Sequence, residues 1–204
     1  APYASAKTTW AIKAFLGNYI ATFPYHSVIV ACNGDDTARD RSMAVRNLFI
    51  DGNLRATYPH LEPDPLMPWT QSKWSLQVKN KPQSGRINNT LSAFGSGGQI
   101  IGTRADIILA DDLLDAKNTA SAEQRQNIAT WVDQTLLSRL KPQARAIVIG
   151  TSWHADDFYA NAKDQGGWVV VHMPLLSDDP EGALYATITY PDWWQGRTIG
   201  TPLN

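Results

Sequence analysis

Apolar residues in this chain fall into short dense runs separated by longer stretches of helical spacing, and that alternation gives the first reading of its elements. Ser27 to Cys32, Ala105 to Ala110 and Ala146 to Gly150 are too short for helices and rich in β-branched residues, so they are expected as buried strands. Residues 8–22, Thr37 to Ile50 and Ser121 to Leu140 carry apolar positions at helical spacing. Ser121, followed by Glu123-Gln124, has the chemistry of a helix start. Asn33-Gly34-Asp35-Asp36 reads as a turn whose second Asp caps the next helix. A helix over Ala155 to Asp164 and a strand over Trp168 to Met173 complete a further βα unit, and strands alternating with helices argue for a mainly parallel sheet. Pro59, Pro63, Pro65 and Pro68 mark an irregular connection, and Trp69 to Ile101 shifts to short alternating strands with Gly and Asn turns, an expected inserted β-meander. After Pro174 the chain becomes loop-like, with a weak strand at Ala186 to Tyr190.

Composition narrows the class without naming a function. A chain of 204 residues with 43% hydrophobic content can bury a full α/β core. No apolar stretch is long enough to span a bilayer and no secretory signal opens the chain. With 18 basic and 19 acidic residues, the net charge of -1 gives no global attraction to nucleic acid, so any such contact needs a local patch. The single Cys32 lies in an apolar run and cannot form an internal disulfide, which reads as a reducing compartment. Eight tryptophans are a high count for this length, and Trp10, Trp131, Trp153 and Trp168 are expected in the core. The chain opens on Ala1 rather than Met and reads as a piece of a longer protein.

The run Ile107-Ile108-Leu109-Ala110 ends in two adjacent carboxylates, Asp111 and Asp112. Acids at the carboxyl end of a buried parallel strand sit where open α/β sheets bind ligands. Two like charges side by side in a buried place ask for a cation, which points to a metal ion. Near the start, Ala1 to Thr9 has the spacing of a phosphate-binding loop, with Ala1 and Ala6 in the two glycine positions. Small residues there let backbone N–H groups close on phosphate oxygens at a helix N-terminus. Lys7 would reach the terminal phosphates and the Thr8 hydroxyl would hold Mg²⁺; an ordinary helix start is the other reading. In phosphate-loop enzymes the first acid after the strand binds the metal and the next polarises the attacking water, the places of Asp111 and Asp112. Thr151 and Ser152 follow another buried strand, where a hydroxyl could sense the γ-phosphate or simply close a turn.

Four strings together resemble the ATPase domain of the large terminase subunit of tailed bacteriophages. They are Ser5-Ala6-Lys7-Thr8-Thr9, Val30-Ala31-Cys32-Asn33, Gly102-Thr103-Arg104-Ala105-Asp106 with Asp111-Asp112, and Ile149-Gly150-Thr151-Ser152-Trp153-His154 with Asp156-Asp157. The resemblance implies an ASCE-type P-loop NTPase, a three-layer α/β/α fold with a mainly parallel sheet. It implies an ATPase core over residues 1–175 that lacks the strand before its loop, and a linker-like tail over 176–204 towards an absent nuclease domain. It also implies hydrolysis of ATP with Mg²⁺, packaging of double-stranded DNA into a procapsid, a ring on the portal protein, a small-subunit partner and work in the host cytoplasm. Ser5, Ala6, Lys7, Thr8 and Thr9 become the nucleotide-binding loop, Thr8 and Asp111 the metal side, Asp112 the catalytic acid, and Thr151-Ser152 the coupling motif. Nuclease activity is not expected. Family loops usually carry Arg where this chain has Tyr3, and the catalytic acid is often the longer Glu. Arg104 is the candidate arginine finger, with pairing to Asp106 or another acid as its other reading. A helicase-like P-loop motor and a degenerate nucleotide-binding module without hydrolysis are the alternatives.

Residues 70–90 hold Lys73, Lys79, Lys81, Arg86 and Trp74 with no acid, so a basic hairpin could grip a phosphate backbone or simply be solvated. His154 follows the coupling string and is either structural or close to the nucleotide. His26, His60 and His172 show no zinc spacing with one another or with Cys32.

Overall fold

The computed structural model describes residues 7–81, 86–172 and 187–189. Ala1, Tyr3, Ser5 and Ala6 of the expected loop lie outside the described residues, as does most of the expected tail. In chain order a π-helical stretch Thr9–Leu16 continues into α1 (Gly17–Thr22), followed by β1 (Val28–Cys32), α2 (Asp35–Ile50), α3 (Asn53–Thr57), β2 (Leu61–Pro63), β3 (Lys73–Trp74), β4 (Leu76–Val78), β5 (Leu91–Gly95) and β6 (Ala105–Asp111). Then come α4 (Ala122–Thr130), with π and 3-10 turns over Trp131–Leu136 and Leu137–Arg139, β7 (Leu140–Ile149), α5 (Phe158–Gln165), β8 (Val170–His172) and β9 (Thr187–Thr189).

The central sheet has the order β3-β5-β1-β6-β7, with β5, β1, β6 and β7 parallel and β3 antiparallel on one edge. Strand side chains alternate between two layers. Val28, Val30, Ile107 and Leu109 pack with Ile12, Leu16 and Ile20 of the first helical stretch and with Ala38, Val45 and Phe49 of α2. Ile29, Ala31, Ile108 and Ala110 pack on the other face with Ile128, Val132, Leu136 and Phe158. The result is an α/β fold with a mainly parallel sheet covered on both faces. Full burial of one such Leu or Ile stabilises by about 1.5–3 kcal/mol over leaving it in water. A capping box starts α4, with the Ser121 hydroxyl accepting from the Gln124 N–H and the Gln124 side chain from the Ser121 N–H, as the sequence predicts.

Several expectations need correction. The described residues of 69–101 form no meander: β5 is an inner parallel strand, β3 joins its edge, and β4 pairs antiparallel with β2. Local alternation signalled strands there but could not say which partner each would find. Asp36 does not cap α2. Gly34 is the N-cap with no side-chain bond, and the Asp35 carboxylate turns away to accept from the Gly95 N–H at 2.7 Å. That close approach needs Gly95, since a Cβ there would lie 2.6 Å from the Asp35 nitrogen. The region expected as one helix from Ser121 to Leu140 ends earlier, because Leu140 already pairs with Ala105 as the start of β7. Strand β8 pairs with β9 rather than joining the central sheet. Trp131 is buried, but Trp10 and Trp153 are 71% and 55% exposed, so neither is a core residue.

Candidate functional site

Strand β6 is an inner strand of the sheet, between β1 and β7, and delivers Asp111 and Asp112 to its carboxyl end. Asp111 is wholly buried. The Thr8 hydroxyl donates to its Oδ1 at 3.1 Å, and Arg41 Nε donates to its Oδ2 at 3.0 Å. Asp112 lies 3.5 Å from Lys7 Nζ, which also donates to Thr151 Oγ1 at 2.9 Å. Five side chains from three separate parts of the chain therefore meet at one end of the sheet, and Arg41 joins them from a fourth. Lys7, Thr8, Asp111, Asp112 and Thr151 were singled out by sequence; Arg41 was not.

The electrostatics follow from this arrangement. Burial, and then the neighbouring Asp112 charge, push the Asp111 carboxyl above the ordinary aspartate range, while the bonds from Arg41 and Thr8 offset part of the rise. Burial, with Asp111 second, pushes the Cys32 thiol of the adjacent strand up to about 12, which makes it an inert core residue. Two adjacent acids asked for a cation, and the fold supplies two of its own, Arg41 for Asp111 and Lys7 for Asp112. The donors are nonetheless hard oxygens of the kind Mg²⁺ prefers, a hydroxyl and two carboxylates, with Thr8 and Asp111 already in contact. These residues fit such an ion.

Backbone geometry at the acids is unusual. Asp112 sits in the left-handed region with φ of 50°, a conformation uncommon for residues other than glycine. Its N–H donates to the Ile149 carbonyl at 2.9 Å and its carbonyl accepts from the Asn33 N–H at 3.1 Å. The Tyr159 hydroxyl accepts from the Leu113 N–H at 3.1 Å and donates to the Ile149 carbonyl at 3.3 Å. That hydroxyl occupies the space where a Cβ on residue 150 would go, so only Gly150 fits there. Tyr159 thus ties the ends of β6 and β7 together behind the site.

The other candidates are placed elsewhere. Ser152 does not face the acids; its hydroxyl donates to Asp157 at 2.9 Å. Asp157 also accepts from the N–H groups of Trp153, His154 and Ala160, making it the N-cap of α5. Burial raises its pKa, but these hydrogen bonds outweigh that and hold it below the ordinary range. Thr9 is exposed on the first turn beyond Thr8. Arg104 stands at the amino end of β6, roughly 20 Å from the acids by strand rise, and donates to the Ser138 carbonyl at 2.7 Å. It does not pair with Asp106, which accepts from Lys141 Nζ and the Ser27 N–H, each at 2.7 Å. His154 accepts from the Asp156 N–H through Nδ1, a structural role. In the basic segment Trp74 is fully buried and donates to Ser42, and Arg86 is spent on the carbonyls of Leu76, His26 and Asn88. Only Lys73, Lys79 and Lys81 remain exposed there.

One signal for Arg41 was present in the sequence. Ala38, Ser42, Val45 and Phe49 form the buried face of α2, and Arg41 lies three residues after Ala38 beside that face. A charge at such a position needs a buried partner, but its identity is invisible without the tertiary fold. A polar cleft of about 760 Å³ is lined among others by Asn33, Thr37, Asp115, Lys117 and Asn127; Asp111 and Asp112 do not line it, and Asn33 meets them through its N–H to the Asp112 carbonyl.

Fold and site define an α/β protein whose mainly parallel sheet carries a lysine, a hydroxyl and two carboxylates at its carboxyl edge. Over 155 residues, 75% of the chain, the sequence is 34% identical to the large terminase subunit of Enterobacteria phage T3. The matched stretch is 25% of that protein's length, and over it the chain is terminase-like. No family model matches the chain. Among the described residues no helix is long and apolar enough to cross a membrane.

Proposed function

We propose that this chain is the Mg²⁺-dependent, ATP-hydrolysing motor part of a phage terminase large subunit, driving double-stranded DNA into a procapsid. The observation that carries the reading is the meeting of Lys7 and Thr8 with Asp111 and Asp112, 103 residues apart between Thr8 and Asp111. An ordinary helix start has no reason to present its lysine and hydroxyl to two acids at the end of a central parallel strand. The likeness to a terminase large subunit supports the choice among phosphate-loop motors.

In this reading Lys7 leaves Asp112 and Thr151 for the terminal phosphates when ATP binds. Asp112, relieved of its cation, is then free to orient a water and accept its proton. Thr8 and Asp111 hold Mg²⁺, which when bound neutralises charge on the phosphate oxygens. Thr151, just beyond the carboxyl end of β7, exchanges Lys7 for the γ-phosphate side and passes the nucleotide state to β7. In this reading the nucleotide-binding loop comprises Ser5, Ala6, Lys7, Thr8 and Thr9. The arginine finger, for which Arg104 is too distant within its own molecule, comes to the site from a neighbour in the ring. Portal protein, small subunit and host cytoplasm follow from the same reading, and Lys73, Lys79 and Lys81 form the part of the basic segment left for DNA phosphates.

The test is ATP turnover of the intact protein beside Lys7→Ala and Asp112→Asn. Each substitution should lower kcat by about 100-fold or more; equal background rates in all three proteins would sink the enzyme reading and leave a module that binds without hydrolysis. Run with and without duplex DNA, the same assay examines the motor. DNA stimulation should be lost when Lys79 and Lys81 are both changed to Glu, and stimulation that survives would move the grip elsewhere.

A further inference from the structure

We propose that Arg41 is a resident counterion that takes the cation's place at Asp111 until nucleotide arrives, so that metal enters the site with the phosphates and not ahead of them. The inference rests on reading Asp111 as the metal-side acid.

Asp111 has no exposure, Asp112 follows it directly, and the two negative charges are matched by Arg41 and Lys7. The site is electrically balanced from the chain's own residues, and a divalent ion added alone would bring two uncompensated charges into it. At an effective dielectric near 20, a positive group within about 5 Å of a divalent ion repels it enough to weaken binding by well over tenfold. Phosphates that arrive with the ion restore the balance, and Lys7 moves onto them.

Geometry assigns the two oxygens of Asp111 to different tasks. Oδ1 faces the Thr8 hydroxyl, the side on which an ion would be shared. Oδ2 is held by Arg41 Nε. Arg41 comes from the inner flank of α2, a helix whose buried face is fixed in the core by Ala38, Val45 and Phe49, so the guanidinium is presented by a rigid element. Arg41 is therefore a positioning residue, setting the orientation of the Asp111 carboxylate and the order in which ligands bind.

The contact atom suggests the substitution. Only Nε reaches Asp111, and glutamine places its side-chain nitrogen at that same point along the side chain. Arg41→Gln keeps the hydrogen bond and removes the charge. Mg²⁺ alone, without nucleotide, is titrated into the intact wild type and the variant, followed by calorimetry and by thermal unfolding. Wild type should show no millimolar response, while Arg41→Gln should bind Mg²⁺ at least about tenfold more tightly and unfold at a higher temperature with it. Adding Asp111→Asn to Arg41→Gln should abolish that response. Equal behaviour of wild type and Arg41→Gln, or a response that survives in the double variant, overturns the proposal. If Arg41→Gln does not fold without metal, Mg²⁺ should restore its fold, and failure to do so overturns the proposal equally. A parallel titration of wild type with MgATP separates the two readings. Stabilisation of wild type by MgATP with a silent Arg41→Gln removes the counterion role alone. No response to MgATP with a responsive Arg41→Gln removes the nucleotide reading alone.

Discussion

Strand β6 carries an aspartate near each end, and the two are held in opposite ways. Asp106, at the amino end, accepts from the Ser27 N–H and from Lys141 at 2.7 Å each, and although burial works against it, these partners hold its carboxyl below the ordinary range. Asp111, at the other end, also has a cation, yet full burial and the adjacent Asp112 leave its carboxyl raised. The same residue type on the same strand is a fastening in one place and a cost in the other. Costly charges cluster at functional sites, and the contrast agrees with the site proposed at the carboxyl end.

The sharpest way to break this contrast is to neutralise each acid in turn. Asp111→Asn should lower ATP turnover by about 100-fold or more, because the metal side loses its charged donor, while leaving the fold as stable as before or more so at pH 7. Asp106→Asn should do the reverse, costing about 1–2 kcal/mol of stability through two charge-assisted hydrogen bonds while turnover per folded molecule stays within about twofold. Denaturant unfolding beside steady-state kinetics measures both; a stability loss in Asp111→Asn larger than in Asp106→Asn would dissolve the distinction.

Acidity sharpens it further. Asp106 has a folded pKa below its unfolded value near 4, so its contribution is present above about pH 4 and is lost as pH falls through the folded value. Asp111 has a folded pKa above the unfolded one, so the folded state binds the extra proton, and stability declines as pH rises from about 4 through that folded value. The gap between wild type and Asp106→Asn should therefore close in acid, while the relative advantage of Asp111→Asn should close in acid and open towards neutral pH. Unfolding free energies between pH 3 and 8 would show these opposite slopes, and parallel curves would contradict them.

The smallest expected effect lies behind the site. Tyr159→Phe removes the hydroxyl that joins Leu113 to Ile149, leaving one buried N–H without that partner at a cost of about 1 kcal/mol. Because Asp112 holds its left-handed backbone between those two strand ends, kcat should fall several-fold with the KM for ATP unchanged. A change in stability with kcat intact would make Tyr159 a packing residue only.

Local sequence determined what short windows of chain can encode. The β-branched run of β6 and its two terminal acids, the helix that begins with Lys7 and Thr8, and the capping box of Ser121 were all legible, because periodicity and hydrogen-bonding side chains act over a few residues. The terminase likeness was carried by the strings around those acids. Only the tertiary structure decided that β5 is an inner parallel strand, that Ser152 turns to Asp157, that Trp10 and Trp153 face solvent, and that Arg41 rather than Arg104 reaches the carboxylates. A strand's partner is chosen by crossovers that span tens of residues, and an arginine's partner by where its helix packs. A local pattern reports the period of a strand or helix, but burial of a single side chain and contact with a particular neighbour are properties of the whole sheet.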